Sequence, residues 1–130
     1  MSTVRGEKGS VTSFVVLLCS IMMLCAGLVV DGSRVVGAKS EAMDVAGNAA
    51  RVGAQEIRSI RSGRNDLHVA RAEAAARRYL RQIQWSGQVH CDGKSVTVMT
   101  SKTIKMTILG IVGIRSKVVT AVQTATPVDE

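Results

Sequence analysis

The chain has 130 residues, and its 17 lysines and arginines outnumber its 10 aspartates and glutamates to give a formal net charge of +7 at pH 7. Hydrophobic residues make up 46% of the chain, although Trp, Tyr and Phe occur only once each. Three cysteines exclude a disulfide framework with several bridges. Once the N-terminal apolar segment is set aside, about 100 residues remain, which suffices for one small domain.

An uncharged run occupies residues 11–30, with Arg5 and Lys8 before it and Asp31 and Arg34 after it. At about 1.5 Å rise per residue, a helix of this length reaches roughly 30 Å, the thickness of the hydrocarbon core of a bilayer. The sequence therefore predicts a membrane-spanning helix over 11–30, which follows a short cytoplasmic tail at 1–10. Asp31 and Arg34 lie on one helix face and can pair. They either mark the membrane boundary or place a partly buried charge that fixes depth or meets a partner helix.

A cleaved signal peptide is the alternative interpretation of this run. Its apolar region would normally span about 7–15 residues and end at a small-x-small site, for which only Cys25-Ala26-Gly27 qualifies. The retained anchor fits the length better. The flanking charges are balanced, with Arg5 and Lys8 against Arg34 and Lys39, so they do not fix the orientation. We expect a single pass through the cytoplasmic membrane, with the tail inside and residues 31–130 outside.

Two helices are predicted after the span. Small and apolar residues recur at three- and four-residue steps over about 35–60, which predicts an amphipathic helix that continues the span. We call Ala42, Ala46, Ala49 and Gly53 the alanine face; we expect it to pack closely against a helix of another subunit, and Asp44 beside it to pair with Arg51 or a neighbour's arginine. A Gly/Asn/Asp turn at 62–66 then precedes a second helix at about 67–85.

Beta-branched residues dominate the remainder, at about 88–126, and predict three or four antiparallel strands with a hairpin turn at Asp92-Gly93. The predicted fold class is therefore α+β. Residues 108–114, which we call the apolar loop, have no polar side chain and lie between the basic residues Lys105 and Arg115. Two interpretations are open. In the first, these residues are buried, as a strand or as a loop packed under the long helix; in the second, they form a loop that dips into the membrane or binds a partner.

The sequence offers no pattern typical of an enzyme. His68 and His90 lack the spacing of metal ligands, so we expect no metal site and no cofactor. His90 and Cys91 would point to opposite faces of a strand and could not act together as base and nucleophile. A phosphate-binding loop and a nucleophile elbow are absent from the sequence. We expect no small-molecule substrate, and Cys91 is either buried and reduced or forms a disulfide between chains.

Arginines are concentrated in the middle of the chain and exceed the nearby acids Glu56, Asp66 and Glu73. They form either a solvated basic helix face or an anion-binding surface. The second interpretation would make the chain a membrane-tethered module that binds nucleic acid or another anionic polymer; no recognised nucleic-acid fold signature accompanies the arginines, which disfavours nucleic acid. The candidate anion-binding residues are Arg71, Arg77, Arg78 and Arg81.

Three segments carry a family resemblance: RGEKGSVT at 5–12, GLVVDGSR at 27–34 and DVAGNAARVGAQ at 44–55. In this order and spacing, the N-terminal part resembles the TadE/TadG-like Flp pilus-assembly proteins, of the type common in high-GC Gram-positive bacteria. The resemblance implies a single-pass, pilin-like subunit that acts as a minor pilin or assembly factor of tight-adherence pili. Its partners would be other pilin-like subunits, pilus-assembly membrane proteins and membrane lipid.

The resemblance also implies a candidate processing site between Gly9 and Ser10. Members cut by prepilin peptidase have glycine at the cut and glutamate at the fifth residue after it, where this chain has Phe14. An apolar side chain cannot make the charge pairing that glutamate offers to a neighbouring N-terminus. The sequence therefore leaves two alternatives, a processed filament subunit and an uncut membrane accessory.

Overall fold

The computed structural model describes residues 7–58 and 65–127. The elements are, in chain order, α1 (Glu7–Arg58), α2 (Asn65–Gln82), β1 (Ser86–Cys91), β2 (Val96–Lys105), a 3₁₀ turn (Leu109–Val112) and β3 (Ser116–Ala125). This order confirms the predicted α+β layout of a long N-terminal helix, a second helix and an antiparallel sheet.

Helix α1 is one uninterrupted rod of 52 residues, so the predicted span and the amphipathic helix are a single element. Gly32 does not break it. In the described part of the chain, α1 is the one helix long and apolar enough to cross a membrane; its most apolar window has a mean hydropathy of 2.7, and only 6% of that window is buried. The second half of α1, in contrast, is covered on one side by the rest of the chain.

Helix α2 ends three residues earlier than predicted, at Gln82. Gln84 adopts a left-handed conformation with φ of 57°, and the Trp85 N–H donates to the Leu80 carbonyl over 2.9 Å. This pattern closes the C-terminus of a helix. Ser86 and Gly87, which directly follow the predicted helix, already belong to β1. Of the turn predicted at 62–66, residues 62–64 lie outside the described residues.

The sheet has three antiparallel strands in the order β1-β2-β3. The predicted hairpin turn joins β1 to β2: Gly93 has φ of 85°, and Asp92 Oδ1 accepts the Ser95 N–H at 2.7 Å and the Lys94 N–H at 2.9 Å. These two donors, Ser95 first, hold the pKa of Asp92 below its usual value. The turn therefore gains stability from the ionised carboxylate, and this contribution is lost as the pH falls through the lowered pKa.

The core lies where the second half of α1 packs against α2 and one face of the sheet. Small side chains on α1 let the neighbouring elements approach closely. Thr100 on β2 is fully buried, and its hydroxyl donates to the Ala42 carbonyl of α1 over 2.9 Å, so no polar atom of the hydroxyl is stranded. The central core cluster consists of Ala46, Ala49, Ala50, Ala72, Ala76, Leu80, Val89, Cys91, Val96 and Val98.

The alanine face does not have the role that the sequence predicted for it. Ala42, Ala46 and Ala49 are fully buried within the chain itself. A Cβ at Gly53 would lie 3.0 Å from Val96 Cγ1 and 3.1 Å from the Ala72 carbonyl oxygen. The spacing that we assigned to contacts between subunits instead serves contacts with α2 and β2, because the same small-residue pattern suits either partner.

Two glycines of α1 allow a test of this packing. Gly47→Ala should raise the free energy of unfolding by up to about 1 kcal/mol, because alanine is the better helix former and a Cβ there meets nothing within 4 Å. Gly53→Ala should lower it, since crowding Val96 and the Ala72 carbonyl costs about 1–3 kcal/mol. Urea unfolding followed by the fluorescence of Trp85, which packs against the core, measures both. Equal stabilisation by the two variants would contradict the close approach at Gly53.

Candidate functional site

Asp31, one position after the apolar run, is a buried carboxylate surrounded by backbone hydrogen-bond donors. Its side chain is 0% exposed although the helix surface just before it is largely bare. Oδ2 accepts the backbone N–H groups of Leu109 at 2.7 Å and Ile108 at 2.8 Å, and Oδ1 accepts that of Thr107 at 3.2 Å. A carboxylate is an acceptor only, so these three donors match its ionised form. We call this arrangement the Asp31 clasp.

The clasp holds the start of the apolar loop against α1. Its donors precede or begin the 3₁₀ turn, where backbone N–H groups have no partner within the turn itself. Inside the loop, Ile111 N–H donates to the Ile108 carbonyl at 3.1 Å and Ile114 N–H to the Leu109 carbonyl at 3.0 Å. Gly113 has φ of 102°, a conformation that glycine adopts readily. The loop is thus a compact turn with its own hydrogen bonds.

Gly27 provides a second contact between α1 and the apolar loop. A Cβ built on Gly27 would lie 2.3 Å from Cγ2 of Ile108 and 3.1 Å from its Cβ. The absence of a side chain at 27 therefore lets Ile108 lie directly on the helix backbone, one turn before Asp31. Gly27 is inside the predicted span, so the contact ties the β2–β3 connection to the apolar run itself.

Arg34 also contributes to the contact between α1 and the apolar loop, and it pairs with Asp31 as predicted. Its Nη1 lies 3.9 Å from Asp31 Oδ1 and also donates to the hydroxyl of Thr107. The Arg34 side chain is 52% exposed, so the pair is screened by solvent and contributes less than the backbone hydrogen bonds. The carboxylate of Asp31 is therefore engaged by the loop of its own chain, which leaves it no exposed oxygen for a partner helix.

Strand β2 and helix α1 run alongside each other between two fixed points. Val96, at the start of β2, contacts Gly53, and Thr107, just after the end of β2, contacts Asp31. A strand of ten residues is about 33 Å long, and α1 rises about 33 Å from Asp31 to Gly53 at 1.5 Å per residue. The β2–β3 connection therefore lies at the end of the domain nearest the apolar run.

Asp44 is exposed on α1, on the side away from the core. The structure assigns it no ion pair, and it borders a shallow depression with Asn48, Arg51 and Gln123. Lys102 and Glu41 form the ion pair that joins α1 to the sheet, with 2.8 Å between Nζ and Oε2. The expected pairing of Asp44 is not among the contacts of the described residues, whereas Glu41 was not singled out from the sequence.

The candidate anion-binding arginines Arg71, Arg77, Arg78 and Arg81 are all exposed on α2. Arg77 pairs with Glu73 one turn before it, with 3.4 Å between Nη2 of the arginine and Oε2 of the glutamate. Glu73 also accepts the Cys91 backbone N–H at 3.2 Å, so this glutamate links α2 to β1. The other three arginines face solvent, which fits a solvated basic face without further assumption.

Cys91 lies in the core, with 5% of its surface exposed and its thiol free. His90 beside it is exposed, so the two side chains alternate across β1 as the sequence predicted. Burial disfavours a disulfide between chains, because a partner sulfur could not reach Cys91 without opening the core. The structure thus fits the buried, reduced alternative.

Two further features concern processing and metal binding. Gly9 and Ser10, the candidate processing site, lie exposed in the first turns of α1. Within residues 7–58 and 65–127, no group of three or more His, Cys, Asp or Glu side chains is arranged to hold a metal ion.

Sequence reasoning missed the donors of the clasp and the role of Gly27. Thr107, Ile108 and Leu109 act through their backbone N–H groups, which no side-chain pattern reveals. The available signal was the combination of an acid directly after an apolar run and a second, short apolar run with two glycines, Gly110 and Gly113. Gly27 entered only as a potential signal-peptide cleavage residue and as part of the segment 27–34 that carries the family resemblance, not as a packing residue.

Removing the Asp31 carboxylate should release the apolar loop. In Asp31→Ala, three backbone N–H groups lose their charged acceptor, and we expect trypsin to cut at Lys105 and Arg115 about tenfold faster in detergent micelles. Asp44→Ala is the matched control, an exposed aspartate on the same helix that makes no contact with the loop. Mass spectrometry of the fragments gives both rates. Equal cleavage of the two variants would show that the carboxylate does not hold the loop.

Gly27→Ala tests the second contact by sterics alone. Its Cβ would overlap Ile108, so the loop must shift, and cleavage at Lys105 and Arg115 should again accelerate. Gly32→Ala is the control, because a Cβ at 32 meets nothing within 4 Å. The same digestion assay distinguishes them. If Gly27→Ala resisted trypsin as well as Gly32→Ala does, Ile108 would not be seated on the helix.

Comparisons with known proteins give a family match confined to the N-terminal part. No curated protein and no solved structure matches the chain. A family model does match, over residues 9–56, and its description is putative Flp pilus-assembly TadE/G-like. The matched segment has nearly the bounds of α1, and it includes Gly27, Asp31, Arg34 and the alanine face. The resemblance noted in the sequence is thus confirmed for this helix: residues 9–56 are similar to the TadE/G-like Flp pilus-assembly family.

Proposed function

We propose that this chain is a non-enzymatic, single-pass membrane protein that acts as a pilin-like subunit or assembly factor of a Flp-type pilus. The family match supports involvement in Flp pilus assembly. The single observation that carries the finer proposal is the division of α1 into two halves. The first half is apolar and bare, and the second half is the support on which a small α+β domain is built.

The bare half of α1 supports a membrane anchor. Large apolar side chains such as Phe14, Met22 and Val29 are mostly exposed, which is costly in water and favourable in lipid. Ser13 and Ser20 donate to the carbonyls one turn earlier, Gly9 and Val16, at 2.9 Å and 2.8 Å. Polar groups within the run are therefore satisfied inside the helix, as a bilayer requires.

The contacts of Gly27 and Asp31 support retention of the anchor over removal as a signal peptide. A cut at Cys25-Ala26-Gly27 would divide a continuous helix at the point where Ile108 lies on it. The new terminus would fray the turn that positions Asp31. In our proposal α1 stays whole, the tail at 1–10 is cytoplasmic, and the domain is outside the cell membrane.

Contacts with other subunits must use surfaces that the chain leaves uncovered. The alanine face is occupied by α2 and the sheet, so in our proposal the apolar half of α1 meets other pilin-like subunits and assembly proteins within the membrane. Packing of apolar helices in lipid rests on van der Waals contact, which the exposed valines and leucines of this half can supply. No contact in the described residues favours the anionic-polymer alternative over a solvated arginine face.

The proposal is tested by following a C-terminally tagged copy through shearing of piliated cells. We expect the protein to float with membranes in a density gradient, to be resistant to alkaline carbonate extraction, and to be required for the normal yield of sheared pili. Leu17→Arg, which places a charge in the bare half of α1, should abolish membrane retention, because a central arginine costs about 2.5–3.5 kcal/mol on insertion. Val118→Arg, on the exposed face of β3, is the control and should be retained.

The mass of the recovered protein resolves its role. Full-length chain confined to membranes identifies an assembly factor, whereas chain lacking its first nine residues in sheared filaments identifies a processed subunit. A soluble protein cut near Gly27, or a normal pilus yield without the gene, would overturn the proposal.

A further inference from the structure

We propose that the apolar loop, residues 108–114, inserts its exposed side chains into the lipid interface beside α1 and gives the domain a second membrane contact. Three of its large apolar side chains are mostly exposed: Ile111 is 85% exposed, Val112 is 62% and Ile114 is 53%. The start of the loop contacts α1 instead, through the side chain of Ile108 on Gly27 and through the Asp31 clasp. The loop therefore has a seated side and a bare apolar side.

The position of the loop along α1 places its bare side at lipid depth. Ile108 lies on Gly27, three residues before the end of the apolar run at Val30, which corresponds to about 5 Å along the helix axis. Leu28 and Val29 on the adjoining helix surface are themselves mostly exposed. A bilayer that covers these helix residues also reaches the loop, since both lie at one level.

The charges around the loop match a headgroup layer. Lys105, Arg115 and Lys117 are exposed where β2 and β3 meet the loop, and Arg34 is half exposed on the adjoining turn of α1. Within the described residues at this end of the domain, Asp31 is the acid, and it is buried under the loop. Apolar side chains at the tip with cations just behind them are the arrangement that interfacial segments adopt, with the cations at the level of anionic lipid phosphates.

Lipid is favoured over a protein partner because α1 already fixes the loop at the membrane. A partner would have to displace lipid from the same level, whereas lipid needs no further component. This inference rests on the anchor of the proposed function. It adds that the domain is held at two points, α1 and the loop, so that it cannot swing freely about the helix where the latter leaves the bilayer.

Tryptophan placed by substitution reports the surroundings of each site. Trp85→Phe provides the background, and Ile111→Trp, Val118→Trp and Phe14→Trp are added singly to the full-length protein. Val118 is a matched control, as exposed as Val112 at 62% but on β3. The proteins are reconstituted into vesicles of phosphatidylcholine and phosphatidylglycerol, with or without phosphatidylcholine brominated near the headgroup end of its acyl chains in both leaflets.

We expect Ile111→Trp to emit at shorter wavelength than Val118→Trp, to be quenched several-fold more by brominated lipid and several-fold less by acrylamide. Val112→Trp should repeat the result at a second loop position. Ile111→Trp and Val112→Trp emission like that of Val118→Trp, with Phe14→Trp still quenched by brominated lipid, would overturn the loop inference and leave the anchor standing.

Two other outcomes also count against the inference. Protection of Ile111→Trp from acrylamide without quenching by brominated lipid would mean that protein, such as a second copy of this chain, covers the loop. Absence of lipid quenching at Phe14→Trp would remove the anchor, and with it the proposed function, whatever the loop shows.

Discussion

The close approach of α1 to the rest of the chain is the constraint on which the fold depends. With three aromatic residues in the sequence, there is no large side chain to fill a wide gap between the helix and the sheet. Alanines at 42, 46 and 49 and the absence of a side chain at Gly53 let α2 and β2 approach the helix closely, and residues of moderate size such as Val96 and Val98 fill the space between them. The stability of this core depends on the fit between side chains more than on the area they bury. Adding even one methyl group on this face of α1 should therefore lower the free energy of unfolding.

Local patterns in the sequence predicted most of the fold. The length of the apolar run, the helical spacing beyond it and the Asp92-Gly93 turn each depend on neighbours a few residues apart, and the structure has all three. The partner of the alanine face was wrong, because a stripe of small residues states only that something packs closely on it. Whether the packing partner belongs to the same chain or to another depends on where α2 and the strands lie relative to α1 in the folded protein, and no local sequence pattern contains that information.

The Asp31 clasp could not be found in that way. Its acceptor and donors are separated by more than seventy residues, and the donors are backbone groups common to every residue type. The sequence did mark Asp31 and the apolar loop separately as unusual. Joining them required the register of β2 and β3, which pair from Val96 and Ala125 to Lys105 and Ser116 and so deliver the loop to the same turn of α1.

Strand β2 lies alongside α1 and runs in the opposite direction, and this arrangement has a mechanical consequence. A force that draws α1 along its own axis acts along the strands as well, because Gly53 and Asp31 tie the helix to the two ends of β2. The hydrogen bonds between β2 and β3 are then loaded in shear, all at once, instead of being opened one after another from an end. If α1 is the membrane anchor that we propose, the domain would follow the helix as a rigid body during extraction from a bilayer, and the clasp, at the end nearest the apolar run, would be the first contact to bear the load.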